Sequence, residues 1–257
     1  MLQVETTNIC NAHCVFCPHH KFEEFGTMSD ELYEKIVREA AELPDLRLFI
    51  PMLTGEPLCD KKFVERLKFA REKMPSVILE FYTNGSLLTN DIINELKPIT
   101  ELHISLSLNG ITPETRKQVM GLDDYWAVIK SMKYMEFMGL LYRATLVAWP
   151  EIRQHELESF VEGGGLVIQY QSWCGEQYPY DRRRWTSCAR ALNAMTVNYK
   201  GEVMLCCFDP FAKVVFGDLN NQTIEEVWTS QKHREYQNLH KQGRGNEFDL
   251  CQKCTEG

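Results

Sequence analysis

Six apolar or alternating segments, interleaved with helical patterns, predict an α/β protein built as a partial (β/α)6 barrel. The rhythm stops near residue 175, which predicts a smaller second unit made of a β-hairpin and a helix. Cysteines crowd the two ends of the chain, so each unit is expected to hold a metal centre. The expected division is residues 1–174 and 175–257.

Strands are read at Leu2 to Thr7, Leu46 to Leu53, Val77 to Thr83, Leu102 to Leu108, Leu140 to Ala148 and Leu166 to Gln171. Helical patterns start at Ser29 and recur around 60–73, 89–97, 123–138 and 154–162; Glu31 and Glu34 put negative charge at the start of the first. Alternation of this kind favours parallel strands with helical crossovers, and functional residues at the C-terminal strand ends. Beyond the aromatic and turn-rich stretch from Trp173 to Trp185, Ala194 to Tyr199 and Glu202 to Cys206 flank Lys200-Gly201 as a hairpin. Thr223 then caps a helix running to about His240.

With 257 residues, 44% of them hydrophobic, the chain can bury a sizeable core. A net charge of −8 argues against a protein that wraps nucleic-acid phosphates. The N-terminus lacks the layout of a secretory signal, and no apolar run approaches the roughly 18 residues of a membrane span, so a cytoplasmic protein is expected. In that reducing compartment ten cysteines point to metal binding rather than to disulfides.

Cys10, Cys14 and Cys17 have the spacing C-x3-C-x2-C on the loop after the first strand. Three thiolates on a [4Fe-4S] cubane leave one iron open to an exogenous ligand. A zinc site completed by His13, His19 or His20 is the competing reading. The triplet, with aromatic Phe16 before its last cysteine, resembles the hallmark of the radical S-adenosylmethionine superfamily. That resemblance implies that S-adenosylmethionine occupies the open iron and is cleaved to a 5′-deoxyadenosyl radical. Thr54-Gly55-Glu56-Pro57 after the second strand resembles the family's Gly-Gly-Glu segment, with Thr54 in place of the first glycine. The resemblance implies cofactor contacts for Gly55 and Glu56. Ser105-Leu106-Ser107-Leu108-Asn109-Gly110 resembles the family's Ser-x-Asp-Gly, which makes Ser107 a candidate contact, with Asn109 in place of the acid. Arg143 on the fifth strand offers a guanidinium fork to the cofactor carboxylate, against the ordinary reading of a structural ion pair.

Cys188, Cys206, Cys251 and Cys254 supply four thiolates, enough to close a zinc site or a second [4Fe-4S] cluster. Their spacing, with Gly217-Asp218-Leu219 and Thr223 to Trp228, resembles the short "twitch" form of the SPASM auxiliary-cluster domain, and is similar to that of an aminocyclitol-oxidising dehydrogenase of the superfamily. Cys206 rather than Cys207 is the expected ligand, because the family uses the first of such a pair. Cys174, at the end of the sixth strand, is expected at the barrel mouth as a hydrogen-atom donor to a substrate radical, or as a small residue under Trp173. Tyr82, Asn84 and Glu176 lie at other strand ends or mouth loops, Arg182-Arg183-Arg184 reads as a solvated run or an anion clamp, and Gly163-Gly164-Gly165 reads as a turn.

The activity that follows is a radical oxidoreductase dehydrogenating a small polar metabolite, with the auxiliary cluster as electron acceptor and a flavodoxin- or ferredoxin-type donor. The alternatives are modification of a ribosomally made peptide, and a non-enzymatic metal-binding or electron-carrier module.

Overall fold

The computed structural model describes residues 1–150, 152–169, 172–176 and 186–255. The arginine run 182–184 lies outside the described residues, as does the Gln171 end of the sixth expected strand. The elements, in chain order, are β1 (Leu2–Val4), α1 (Asp30–Ala41), β2 (Leu48–Ile50), α2 (Phe63–Lys73), β3 (Ile78–Thr83), α3 (Asn90–Leu96), β4 (Leu102–Ser107), α4 (Pro113–Met120), α5 (Tyr125–Met138), β5 (Leu141–Val147), α6 (Gln154–Glu162) and β6 (Leu166–Ile168). Then follow α7 (Ala189–Asn193), β7 (Met195–Val197), β8 (Glu202–Met204), β9 (Val215–Asp218), α8 (Ile224–Trp228), α9 (Gln231–Lys241) and α10 (Asp249–Gln252).

Among the described residues one nine-stranded sheet runs in the order β6-β5-β4-β3-β2-β1-β7-β8-β9. The first six strands are parallel neighbours in sequence order, as expected of a partial (β/α)6 barrel. The C-terminal hairpin continues this sheet. β7 pairs in parallel with β1 (Leu2 opposite Met195, Val4 opposite Val197), and β8 and β9 add antiparallel strands beyond it. The sheet therefore joins the two ends of the sequence.

Alternation along the strands sorts the two faces of the sheet. Phe49, Leu79, Phe81, Ile104, Leu106 and Leu146 are fully buried, and Phe81 meets Phe63 of α2 edge-on at 5.0 Å between ring centres. Helix α1 shows how the covering layer forms. The Ser29 side chain accepts from the Leu32 amide, and Leu32, Tyr33, Ile36, Val37 and Ala40 line one buried stripe. Each large apolar side chain on it contributes roughly 1.5–3 kcal/mol by burial. The opposite face of the strands carries Glu80 and Tyr82 on β3, Ser105 and Ser107 on β4, and Arg143 on β5. That polar inner face opens onto the C-terminal strand ends.

Three elements differ from expectation. Helix α4 was not anticipated, although Thr112 caps it, Pro113 stands at its first turn and Gly121 ends it at φ 71°. The helix expected from Thr223 to His240 is two helices, because Ser230 restarts the chain with a cap of its own, accepting from the His233 amide. β9 was read only as part of a motif; it is too short for a periodic signal and forms by pairing with β8.

Candidate functional site

The cysteine loop leaves β1 and is hung from the neighbouring elements through its backbone. The amides of His13 and Val15 donate to the carbonyls of Met120 and Val119 at 2.8 and 2.9 Å, using acceptors that the last turn of α4 leaves unpaired. The Asn84 side chain donates to the Asn11 side chain at 2.7 Å, and the Glu56 amide donates to the Ile9 carbonyl at 2.9 Å. One helix end and two strand ends thus hold the loop. Within it the Cys10, Cys14 and Cys17 thiols are half-buried and close enough to act on one another. Burial pushes Cys10 up to about 12 and Cys17 up to about 11, and it also raises Cys14, reinforced by the Cys17 and Cys10 sulfurs. Three thiols so disposed lose their protons only to a strongly cationic partner.

The donor set fits an iron–sulfur cubane better than a lone ion. His19 Nε2 and His20 Nδ1 are engaged by the carbonyls of Asn8 and Cys17 at 2.7 and 3.0 Å. Among the described residues no group of three or more His, Cys, Asp or Glu side chains closes on a single-ion site. Cys59, which the sequence left isolated, lies near Cys10 on the one-turn helix Pro57–Cys59.

At the end of β2, Gly55 is needed for close packing. A Cβ there would stand 2.3 Å from the Thr7 carbonyl oxygen and 2.8 Å from that of Ile9. Thr54, at the position of a family glycine, donates through both amide and hydroxyl to the buried Glu5 carboxylate. Glu56, the expected cofactor contact beside it, lies between the ends of β2 and β3. Its carboxylate is 3% exposed and accepts from the Thr83 hydroxyl at 2.7 Å, the Asn84 amide at 2.7 Å and the Leu58 amide at 3.2 Å. Burial raises Glu56 to about 7, opposed by those hydrogen bonds and by nearby Arg116. The side chain braces β2 against β3, and its oxygens are already in use.

Ser107 ends β4 half-exposed, and its hydroxyl has no hydrogen-bond partner among the described residues. Asn109 sits in the left-handed region at φ 49°, where asparagine is better tolerated than most residues, and its side-chain oxygen accepts from the Val147 amide at 2.9 Å. It locks the β4 end to the β5 end. Arg143, the other expected cofactor contact, pairs with Glu80 at 2.5 Å and donates from Nε to Ser105 and from Nη2 to Tyr82 at 3.1 Å each, across the inner faces of β3 and β4.

Sequence reasoning missed Arg116. This side chain of α4 is fully buried and donates to Asp124 at 2.6 Å, to the Leu108 carbonyl at 2.8 Å and to the Asn84 carbonyl at 2.8 Å. It ties the ends of β3 and β4 together beside the cysteine loop, and its charge reaches Cys14 and Glu56. The Thr112-Pro113 helix start was the available signal.

The second thiol group gathers from distant segments. Cys188, Cys206, Cys251 and Cys254 line one cavity, whereas Cys207 is not among its lining residues. Tyr236 and His240 of α9 wall it and approach Cys251 Sγ at 3.9 and 3.7 Å; Gly245 makes room, since a Cβ there would stand 2.3 Å from the His240 ring. Cys174 joins this cavity. The sequence offered it as a hydrogen-atom donor at the barrel mouth or as a small residue under Trp173; left-handed backbone at Trp173 and Cys174 sets the thiol beside Cys206 and Cys254. Trp173 connects the two thiol groups, donating from Nε1 to the Phe16 carbonyl at 3.2 Å and packing edge-on against Phe208 at 5.8 Å. Phe16 itself lies 6.0 Å from the Trp149 ring. Glu176 pairs with Lys213 nearby.

Comparison with known proteins agrees with this arrangement. The Radical SAM superfamily model matches residues 4–162, and that of an iron–sulfur cluster-binding domain matches residues 188–255. The chain is 24% identical over 257 residues to the S-adenosyl-L-methionine-dependent 2-deoxy-scyllo-inosamine dehydrogenase of Niallia circulans, covering 99% of this chain and 92% of the relative. Its fold resembles that of BtrN in complex with AdoMet and 2-DOIA (TM-score 0.69, 20% identity, 100% of this chain and 92% of the other). It also resembles anSMEcpe with bound AdoMet and Cp18Cys peptide (TM-score 0.73, 18% identity, 98% and 88%). No helix among the described residues is long and apolar enough to cross a membrane. With one family model covering more than half of the chain and the other following it, the chain belongs to the radical SAM superfamily and is a radical SAM enzyme, whose cofactors are S-adenosylmethionine and [4Fe-4S] clusters.

Proposed function

We propose that this enzyme dehydrogenates a small polar metabolite, with Cys10, Cys14 and Cys17 holding the catalytic cluster and Cys188, Cys206, Cys251 and Cys254 holding an auxiliary one. The observation that carries this reading is the walled cavity in which these four thiols, from three separate segments, meet. Four thiolates leave no iron for substrate, which suits an electron acceptor. When bound, the first cluster and S-adenosylmethionine supply a 5′-deoxyadenosyl radical for hydrogen abstraction, and the second cluster takes up the electron left after proton loss.

The protein's own residues then orient and exclude. Ser107 offers a hydroxyl at the end of β4 that has no hydrogen-bond partner among the described residues. Gly55 lets the β2 end approach the cysteine loop, and Glu56 keeps it there. The inner-face pairing of Arg143 with Glu80 and Tyr82 offers a polar wall to a hydroxylated substrate. The end-to-end likeness to an inosamine dehydrogenase supports a small polyhydroxylated substrate. A flavodoxin- or ferredoxin-type protein serves as the electron donor, and the cytoplasm as the setting.

The test is anaerobic turnover of the reconstituted protein with S-adenosylmethionine, a flavodoxin reducing system and 2-deoxy-scyllo-inosamine as first probe, followed by a panel of aminocyclitols. One ketone per 5′-deoxyadenosine is the expected result. Cleavage stimulated by cysteine- or serine-containing peptides and by none of the cyclitols sinks the metabolite reading in favour of peptide modification.

A further inference from the structure

The auxiliary cavity holds five thiols where a [4Fe-4S] cubane takes four. The fifth is Cys174, 3% exposed and set among the same lining thiols, beside Cys206 and Cys254. Its backbone is unusual. Trp173, Cys174 and Gly175 have φ of 50°, 52° and 89°, a left-handed run in which only the glycine is at ease. Neighbouring contacts enforce it. The Ser172 amide donates to the Thr255 hydroxyl at 3.1 Å, the Ser172 hydroxyl donates to the Lys253 carbonyl at 2.9 Å, and Trp173 is fastened to the Phe16 carbonyl. The turn is clamped to both sides of Cys254, and the clamp aims the Cys174 thiol at the ligand sulfurs.

We propose that Cys174 is a non-ligating positioning residue of the auxiliary centre, whose S–H donates a hydrogen bond to the thiolate of Cys206 or Cys254 and raises the reduction potential of that centre. The proposal rests on the four-thiolate assignment made above. Reduction adds negative charge to a cluster and its sulfurs, so a donor aimed at a ligand sulfur stabilises the reduced form more than the oxidised form. Tyr236 and His240 bring polar groups to Cys251 on another side of the cavity, and the Phe208 amide approaches Cys206 Sγ at 3.4 Å. Cys174 completes this set of donors from the segment that also touches the catalytic loop. A centre poised in this way accepts an electron more readily.

The experiment compares the parent protein with Cys174→Ala and Cys174→Ser after anaerobic reconstitution of the full chain with iron and sulfide. Metal analysis is followed by an EPR-monitored redox titration of the auxiliary signal. Both variants are expected to keep the parent's iron and sulfide. Cys174→Ala should titrate at a lower potential than the parent, while Cys174→Ser, whose hydroxyl still donates, should stay close to it. Loss of half the iron from either variant overturns the proposal by making Cys174 a ligand. An unchanged potential in a fully loaded Cys174→Ala variant overturns it by leaving Cys174 a packing residue. Should the alanine variant not fold, a fall in potential in Cys174→Ser decides against the hydrogen bond. A parent protein that binds well short of about eight irons per chain defeats the two-cluster assignment itself, separately from the role of Cys174.

Discussion

The two thiol groups are built in opposite ways. Cys10, Cys14 and Cys17 fall within eight residues of one loop, and that loop is suspended by backbone hydrogen bonds from α4 and the end of β2 and by a side-chain hydrogen bond from the end of β3. Cys174, Cys188, Cys206, Cys251 and Cys254 come from four separate stretches of chain and meet only because β7 docks on β1 and α9 folds over the hairpin. A local site needs a frame to orient it, whereas a dispersed site needs the tertiary fold to exist at all. The first therefore depends on buried polar bracing such as Arg116 and Glu56. The second depends on closure, in which metal binding contributes to folding.

Removal of the local site gives the largest expected effect. The variant with Cys10, Cys14 and Cys17 all replaced by alanine should form no 5′-deoxyadenosine under reducing conditions, yet retain the auxiliary cluster's share of iron. Persistent reductive cleavage in that variant would break the comparison at its root. The dispersed site is probed by Cys206→Ala. In the folded variant S-adenosylmethionine cleavage should continue while oxidised product disappears, as measured by chromatography of both. If the two fall together, the second site is structurally inseparable from the first.

The frame around the local site comes next. Arg116→Met leaves Asp124 without its cationic partner, with only the Ser86 hydroxyl still donating to it, and strips the Leu108 and Asn84 carbonyls of a donor. Breaking a buried ion pair of this kind costs about 3–5 kcal/mol, readable by urea denaturation. A loss below about 1 kcal/mol would place Arg116 among exposed pairs of little consequence.

The smallest effect concerns Glu56. Burial raises it from 4.5 to about 7, so the folded protein holds a proton that the unfolded chain has released. Stability from this group is complete below about pH 4.5 and is lost as pH rises through about 7. Glu56→Gln cannot titrate, so the stability difference between variant and parent should move in the variant's favour across that window. A pH-independent difference between their melting temperatures would show that the carboxylate is charged throughout.

Local order in the chain was enough to read the α/β class, the six parallel strands, the C-x3-C-x2-C loop and the four C-terminal cysteines. Strand alternation, helix periodicity and short-range cysteine spacing are all properties of neighbouring residues. What only the tertiary structure decided depends on residues far apart in sequence. The docking of β7 on β1 joins positions more than 190 residues apart. The partners of Glu56, which are Thr83 and Asn84, and those of Arg143, which are Glu80, Tyr82 and Ser105, come from other strands and follow from no local pattern. Cys174 lies beside the auxiliary sulfurs because a left-handed turn, invisible to side-chain pattern, is held in place by contacts of its neighbours to Phe16, Lys253 and Thr255. Residue type and spacing state which groups are available for chemistry, but burial and partner choice, set when distant strands pair, decide which of them remain free to perform it.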